Sequence, residues 1–285
     1  MTRKGIRAIM TEREFRASPE KKGSLMFDYH MHSTVSFDGR GTPREMVDAA
    51  VAAGLREICF TDHYDFLTEP SDDAWQFSME DYAVYDRLEE PRLIVRRGVE
   101  MGLCPWNRQE VAEVLGRRSF DFVIGSVHLV DGCDPYNGEF WEGRTVQGAF
   151  LRYLEEVLAC VRVHEDYDVL GHLTYVCKSP KNPCHEPLRY EDFSEISDEI
   201  LREVVRRGKG LEINSSGVDR VGEFLPSVAF LKRFRELGGE IVTVGSDAHY
   251  PQRVGQYGTE ALSILREIFG HVCTFEERKP IFHKL

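Results

Sequence analysis

Short apolar runs alternate along the chain with longer stretches in which apolar residues recur every three or four positions. Seven of the short runs predict β-strands, at residues 25–32, 57–63, 92–100, 120–128, 168–172, 210–214 and 240–247. Strands that alternate with amphipathic helices are typical of a parallel sheet with crossover helices. The pattern therefore predicts an α/β fold built on a parallel sheet, from residue 26 to residue 285.

The first predicted helix has clear start and stop signals. Thr42, Pro43 and Glu45 match a capping box with proline at the first helical position. Gly54 stands where a helix commonly ends, because glycine adopts the left-handed conformation without steric cost. Three further apolar stripes predict helices around residues 150–161, 196–205 and 228–237.

Each predicted strand ends in a side chain that can bind metal or form hydrogen bonds. These strand-end residues are His32, His63, Glu100, His128, His172, Asn214 and Asp247. In parallel β/α barrels the ligand site lies at the C-terminal ends of the strands. The sequence therefore predicts a site at a barrel mouth, covered by the long polar and aromatic segments 64–91 and 131–146.

Ligands spaced two residues apart strengthen this prediction. Side chains at positions i and i+2 of a strand point to the same face, so His30 and His32 can reach one ion. Asp247 and His249 repeat that spacing at the last predicted strand. A lone His-x-His pair is more often structural than a metal site, but here several such pairs fall at strand ends.

Six histidines and three carboxylates are the candidate ligands. They are His30, His32, Asp38, His63, Glu100, His128, His172, Asp247 and His249. Imidazole and carboxylate ligands without cysteine suit zinc, manganese or iron. Nine ligands exceed the needs of one ion, so we expect two to three divalent transition-metal ions with shared carboxylates.

The net charge of −12 at pH 7 restricts the possible partners. A strongly acidic chain repels nucleic acid and anionic membranes, and we expect neither as a partner. Bound divalent ions reverse the field locally, so a small anionic substrate remains compatible with this charge.

The composition favours a cytoplasmic protein. No run of about 18 apolar residues predicts a membrane span. The basic N-terminus is not followed by an apolar segment, so no secretory signal is expected. The seven cysteines include no Cys-x-x-Cys pair and are expected to be reduced thiols. Residues 1–25 lack periodicity and predict an N-terminal extension.

Seven motifs together resemble a known family. They are DYHMHS at 28–33, FTDH at 60–63, GVE at 98–100, GSVH at 125–128, GH at 171–172, GLEINSSG at 210–217 and GSDAH at 245–249. On these motifs the chain resembles the PHP (polymerase and histidinol phosphatase) family, and within it the histidinol-phosphate phosphatases. The resemblance covers residues 26–285.

The resemblance implies a distorted seven-stranded β/α barrel, similar to a TIM barrel, with three metal ions. By position, the first ion would be bound by His30, His32, Glu100 and Asp247. The second would be bound by Glu100, His128 and His172, and the third by Asp38, His63 and His249. Asp38 stands where many family members have histidine, which favours manganese or iron at the third position.

The resemblance also implies a substrate and residue roles. The substrate would be L-histidinol phosphate, hydrolysed to L-histidinol and phosphate in L-histidine biosynthesis by metal-activated water. Glu100, Asp247 and His249 would be catalytic, with Asp247 as the candidate proton shuttle. Arg220 and Arg253 are candidates for binding the phosphate, and Asn214 for positioning the substrate or a metal ligand.

Three alternatives remain open at this stage. A phosphoesterase of the same family could act on a nucleotide or another small phosphate ester. An amidohydrolase-type barrel would need a bridging lysine where this chain has Glu100. A non-catalytic metal-binding module would be expected to lose ligands, whereas this chain has all nine.

Overall fold

The computed structural model describes residues 26–67, 75–183 and 185–285. The predicted extension, residues 1–25, lies outside them. Eight parallel strands form the main sheet: β1 (Phe27–Met31), β2 (Glu57–Phe60), β3 (His63–Tyr64), β4 (Ile94–Gly102), β5 (Phe122–Ser126), β6 (Val169–Leu170), β7 (Gly210–Asn214) and β8 (Val242–Gly245). Their order is β1-β2-β4-β5-β6-β7-β8, with β3 also paired to β4.

The sheet curls until its two edges meet. Asp247 N donates to His30 O (2.8 Å), and His32 N donates to Ala248 O (2.9 Å). These bonds join the segment after β8 to β1 and nearly close the barrel. The predicted fold class, an α/β barrel of parallel strands, is therefore confirmed.

The second predicted strand is divided into β2 and β3. Between them, the Asp62 side chain turns aside and accepts hydrogen bonds from Ser33 N (2.8 Å) and Ser36 N (3.1 Å). The chain then pairs with β4, so that His63 lies opposite Glu100. The interruption thus places a histidine beside the carboxylate at the centre of the barrel mouth.

Eight α-helices are described: α1 (Pro43–Ala52), α2 (Met79–Tyr82), α3 (Arg108–Gly116), α4 (Val146–Val163), α5 (Ser194–Arg206), α6 (Val218–Val221), α7 (Val228–Glu236) and α8 (Gly258–Ile268). All four predicted helices are present, as α1, α4, α5 and α7. The capping box of α1 is formed, since Glu45 N donates to Thr42 Oγ1 and Thr42 N donates to Glu45 Oε2 (2.8 Å).

The two segments predicted to cover the mouth differ in structure. In the part of 64–91 that is described, α2 and a 3₁₀ turn (Ala83–Arg87) replace the expected loop, and Trp75 lines the mouth. Segment 131–146 is mostly irregular, and its residues Asp134, Tyr136 and Asn137 line the mouth.

An antiparallel hairpin that the sequence pattern did not predict closes the other end of the barrel. It consists of β9 (His271–Glu276) and β10 (Lys279–Lys284). Arg278 lies in the turn of this hairpin, and its Nε donates to Asp168 Oδ2 (2.5 Å), just before β6. The Phe275 ring packs against Phe122 of β5, with centroids 4.8 Å apart.

No helix in residues 26–67, 75–183 and 185–285 combines the length and apolar character needed to cross a membrane. The six cysteines within these ranges are free thiols, as expected for a chain without disulfides.

The Tyr29 hydroxyl ties β1 to the hairpin. It lies 2.5 Å from Glu57 Oε1 and accepts from Phe275 N (3.0 Å) in a buried setting. We expect Tyr29→Phe to lower the free energy of unfolding by about 1–3 kcal/mol, because two buried polar groups lose a partner. Urea denaturation measures this loss.

The matched control for that experiment is Tyr257→Phe, which removes an exposed hydroxyl bonded to Asp219. We expect its unfolding free energy to change by less than about 0.5 kcal/mol. Equal stability of wild type and Tyr29→Phe would show that the hairpin does not depend on this contact.

Candidate metal centre

The C-terminal ends of the barrel strands bring all nine predicted ligands together. They come from β1, β3 and β4 and from the segments that follow β1, β5, β6 and β8: His30, His32, Asp38, His63, Glu100, His128, His172, Asp247 and His249. Ligand atoms of eight of them, all except Asp38, form overlapping groups of three within 4.8 Å of one another, and one of these groups includes Asp65. The convergence follows from parallel strands that all end at one mouth.

Glu100 lies at the centre of this cluster and has no exposed surface. Its Oε1 is 2.7 Å from His172 Nε2 and 3.2 Å from His128 Nε2. These three residues match the set expected for the second ion.

The other oxygen of Glu100 faces a different group of histidines. Oε2 is 3.0 Å from His30 Nε2, 3.4 Å from His32 Nε2 and 3.1 Å from His63 Nδ1. Burial alone would raise the pKa of Glu100, but the histidines around it hold that pKa well below its usual range. The carboxylate is therefore ionised and could offer one oxygen to each of two neighbouring ions.

Asp38 marks the third group. Its Oδ2 is 2.9 Å from His249 Nε2 and 3.6 Å from His63 Nε2. Burial would raise the pKa of Asp38, but these two histidines hold it well below its usual range. The ring of His32 stacks on both histidines, with centroids 4.2 Å apart in each case. The third group therefore adjoins the first.

Asp247 contributes one oxygen to the cluster and one to a basic residue. Its Oδ1 is 3.4 Å from His32 Nε2 and 3.7 Å from His30 Nε2. Its Oδ2 accepts from Lys178 Nζ (2.5 Å) and Ser216 Oγ (3.0 Å). Lys178 and Ser216 thus fix the carboxylate so that Oδ1 faces the histidines.

The donor set fits divalent metal ions. The buried atoms that have no hydrogen-bond partner among the described residues include His30 Nε2, His32 Nε2, Asp38 Oδ1, His63 Nδ1 and Glu100 Oε2. Each buried atom without a partner costs about 1–3 kcal/mol. Ions between them would satisfy these atoms, and imidazole with carboxylate suits zinc, manganese or iron.

Two buried carboxylates behind the cluster fix the orientation of its histidines. Glu212 Oε1 is 2.7 Å from His30 Nδ1, which leaves Nε2 of that ring for a metal. Glu212 Oε2 accepts from His172 N (2.8 Å), and Asp65 Oδ1 is 2.9 Å from His128 Nδ1. Glu212 therefore acts through the residues that it holds, whereas Asp65 also forms a possible ligand group of its own with His63 and His128.

Glycines make room for these carboxylates. A Cβ atom at Gly245 would lie 2.1 Å from Glu212 Oε1, and one at Gly102 would lie 2.1 Å from Asp65 Oδ1. Such contacts are impossible without displacement of the carboxylates. The glycines at the ends of β8 and β4 are therefore part of the site.

Two of the site residues that the sequence analysis did not assign, Glu212 and Asp65, stand at positions that could have indicated a role. Glu212 lies two residues before Asn214 in a predicted strand, where a charged residue is unusual, and Asp65 lies two residues after His63. Lys178 had no such signal, and Ser216 was part of the GLEINSSG motif but had no predicted role. The histidines without a partner motif, at 164, 271 and 283, bond to Cys104 O, Glu240 O and Thr274 Oγ1 away from the mouth.

The metal cluster opens into a cavity of ≈ 510 Å³. Arg220 and Arg253, the two candidates for binding phosphate, both line it. Arg220 Nη2 lies 3.3 Å from Tyr136 OH, whereas Arg253 is paired with Asp219. Arg220 is thus the less constrained of the two guanidinium groups.

The prediction that Asn214 positions the substrate needs a correction. It has no exposed surface and does not line the cavity, so the structure gives no support for a substrate contact. Its Oδ1 accepts from Ser216 N (2.9 Å) and Ser216 Oγ (2.6 Å), and its Nδ2 lies 3.4 Å from His30 Nδ1. The alternative role, ordering residues around a metal ligand, agrees with these contacts.

Comparison with known proteins identifies the family. Residues 28–216 match the model of the PHP domain. The chain is 32% identical over 260 residues to the histidinol-phosphatase of Lactococcus lactis, which covers 88% of this chain and 95% of that protein.

The chain belongs to the PHP family. Within the PHP family it groups with the histidinol-phosphatases, since it is also 32% identical over 263 residues to the probable histidinol-phosphatase of Deinococcus radiodurans, covering 88% of this chain and 97% of that protein. The crystal structure of the Lactococcus lactis enzyme, solved with zinc, L-histidinol and phosphate, superposes with a TM-score of 0.77. That match has 29% identity and covers 90% of this chain and 99% of that chain.

We expect Glu100→Gln to remove at least one bound ion and to lower kcat by about 1,000-fold or more, because the neutral amide cannot serve two metals. Elemental analysis and phosphate release measure the two effects. Glu110→Gln, on the exposed face of α3, is the matched control and should leave both unchanged. Near-normal turnover of Glu100→Gln would exclude the bridging role.

Glu212→Gln keeps the shape of the side chain but weakens its hydrogen bond to the His30 ring. We expect metal affinity to fall about 10- to 100-fold, measured by competition with a chelator. Excess metal should restore turnover, because the ligands themselves are intact. Loss of activity that excess metal does not restore, with unchanged metal affinity, would contradict this positioning role.

Proposed function

We propose that this PHP protein is a metal-dependent histidinol-phosphatase, which hydrolyses L-histidinol phosphate to L-histidinol and phosphate in L-histidine biosynthesis. The observation that carries the proposal is a cluster of nine candidate metal ligands, six of which line one small cavity together with Lys178 and Arg220. The Lactococcus lactis relative, with bound zinc, L-histidinol and phosphate, supports the substrate.

The three groups of ligands would hold two to three divalent ions, with zinc, manganese and iron as candidates. His30, His32, Glu100 and Asp247 would hold the first, Glu100, His128 and His172 the second, and Asp38, His63 and His249 the third. Such ions lower the pKa of a bound water to about 7 and neutralise charge on phosphoryl oxygens.

Basic side chains beside the cluster would bind the phosphate. Burial would lower the pKa of Lys178, but Asp247 raises it, so the ammonium group is charged. It lies between Asp247 Oδ2 and Ser216 Oγ (3.0 Å) and lines the cavity. Arg220 lines the same cavity and offers a planar guanidinium for a second phosphate oxygen.

Asp247 is the candidate for moving protons. Burial would raise its pKa, but Lys178 and His30 hold the pKa well below its usual range. The carboxylate is therefore ionised, the form that can accept a proton from the attacking water. Oδ2 is held by Lys178 and Ser216, and Oδ1 faces the other ligands proposed for the first ion. His249, 3.6 Å from Oδ1 through Nδ1, would orient the carboxylate.

The size of the cavity and the net charge of the chain favour a small substrate. A cavity of ≈ 510 Å³ suits a single small ligand. The net charge of −12 speaks against nucleic acid or an anionic membrane as partner, and the free cysteines agree with a cytoplasmic location.

Substrate preference tests this function. We expect kcat/KM for L-histidinol phosphate to exceed that for a nucleoside monophosphate or a short oligonucleotide by at least about tenfold, which is about 1.4 kcal/mol of transition-state binding. Activity should disappear with a chelator and return with manganese or zinc. A stronger preference for the nucleotide would contradict the substrate, and no phosphate release from any ester would favour a non-catalytic module.

A further inference from the structure

Asp134 differs from the other carboxylates that line the mouth. Asp38, Asp65 and Asp247 each lie against a histidine or Lys178 of the metal centre. Asp134 lines the same cavity, but it forms no ion pair within residues 26–67, 75–183 and 185–285. It is therefore a negative charge at the mouth without a role in holding metal.

Hydrogen bonds fix only one oxygen of Asp134. Oδ1 accepts from Tyr136 N (2.7 Å) and from Tyr175 OH (3.1 Å). Oδ2 accepts no hydrogen bond from the described residues, which leaves it available to a ligand. Burial raises the pKa of Asp134, as expected for a partly buried carboxylate that has no paired cation among the described residues. A cationic ligand group would offset that cost.

Tyr175 lies between Asp134 and the metal centre and contacts both. Its ring centroid lies 5.2 Å from that of His128 and 5.1 Å from that of His172, the ligands expected for the second ion. Its hydroxyl, at the far end of the ring, reaches Asp134. A ligand whose phosphate lies at the metals and whose cationic group lies a few bonds away would therefore span the two positions.

We propose that Asp134 is a specificity-determining residue that binds an ammonium group of the substrate. It would select phosphate monoesters that carry an amine close to the ester oxygen. The inference rests on the function proposed above, because L-histidinol phosphate carries such an amine. The amine is favoured over the imidazole as the bound group, since it is fully charged at pH 7 whereas an imidazole with a pKa of about 6.5 is mostly neutral.

Asp134→Asn tests this role in the metal-loaded full chain. Asparagine keeps the shape and the oxygen that accepts from Tyr136 and Tyr175, but it removes the charge. Three substrates are compared: L-histidinol phosphate, O-phosphoethanolamine, which has the amine without the imidazole, and p-nitrophenyl phosphate, which has neither. Asp131→Asn is the matched control, since Asp131 is exposed, pairs with Arg152 and lies outside the cavity lining.

We expect Asp134→Asn to lower kcat/KM about 10- to 100-fold for both amine substrates, the range for a lost charge-assisted hydrogen bond. The loss should appear mainly as a higher KM. For p-nitrophenyl phosphate kcat/KM should stay within about twofold, which also reports that the fold and the metals are intact. Asp131→Asn should match the wild type on all three substrates.

Two results for the variant would overturn the inference. One is an unchanged kcat/KM for L-histidinol phosphate, and the other is an equal loss on all three substrates, which would indicate a structural role. A loss on L-histidinol phosphate but not on O-phosphoethanolamine would overturn the choice of the amine. Failure of the proposed function would look different: the wild type itself would show no preference for L-histidinol phosphate over p-nitrophenyl phosphate, and the inference would fall with it.

Discussion

Glu100 places a carboxylate without exposed surface among five histidine rings, and a charge in that position is stable only when cations neutralise it. Each oxygen faces its own group of imidazole nitrogens. Several of these nitrogens have no hydrogen-bond partner in the described residues, so protonation of the rings is a poor substitute for metal. The arrangement therefore suits divalent ions that share Glu100.

Other parts of the barrel hold the residues of this centre in position. Glu212 and Asp65 fix the rings of His30 and His128 from behind, and each needs a neighbouring glycine to fit. At the opposite end, the hairpin β9–β10 covers the barrel and bonds to Tyr29 of β1. The strand that carries His30 is thus held at both ends, which restricts movement of the residues at its C-terminal end.

The sequence predicted the barrel and the ligands for a simple reason. The period of two along strands and the common direction of parallel strands bring strand-end residues to one mouth, and both properties are visible in a pattern of apolar positions. Segments with other constraints were less predictable. The hairpin has only partly apolar strands, and its turn depends on positive φ at Glu277 and Arg278.

Roles that depend on the direction of a side chain also could not be predicted from the pattern of apolar positions. Asn214 ends a predicted strand as the ligands do, but its side chain turns inward to Ser216 and His30. Lys178 lies in a short 3₁₀ helix (Tyr175–Lys178) and Asp134 in an irregular segment, and no periodicity predicts the course of either, although both residues line the mouth. Their partners, Asp247 and Tyr175, are 69 and 41 residues away in the chain, so only the folded structure reveals these contacts.

The central claim is that Glu100 is shared between neighbouring metal ions. Anomalous diffraction from crystals of the metal-replete protein with phosphate tests it directly. We expect one ion between Oε1, His128 and His172 and another between Oε2, His30 and His32, each about 2.0–2.3 Å from its ligands. A single ion, or ions that do not contact Glu100, would contradict this account.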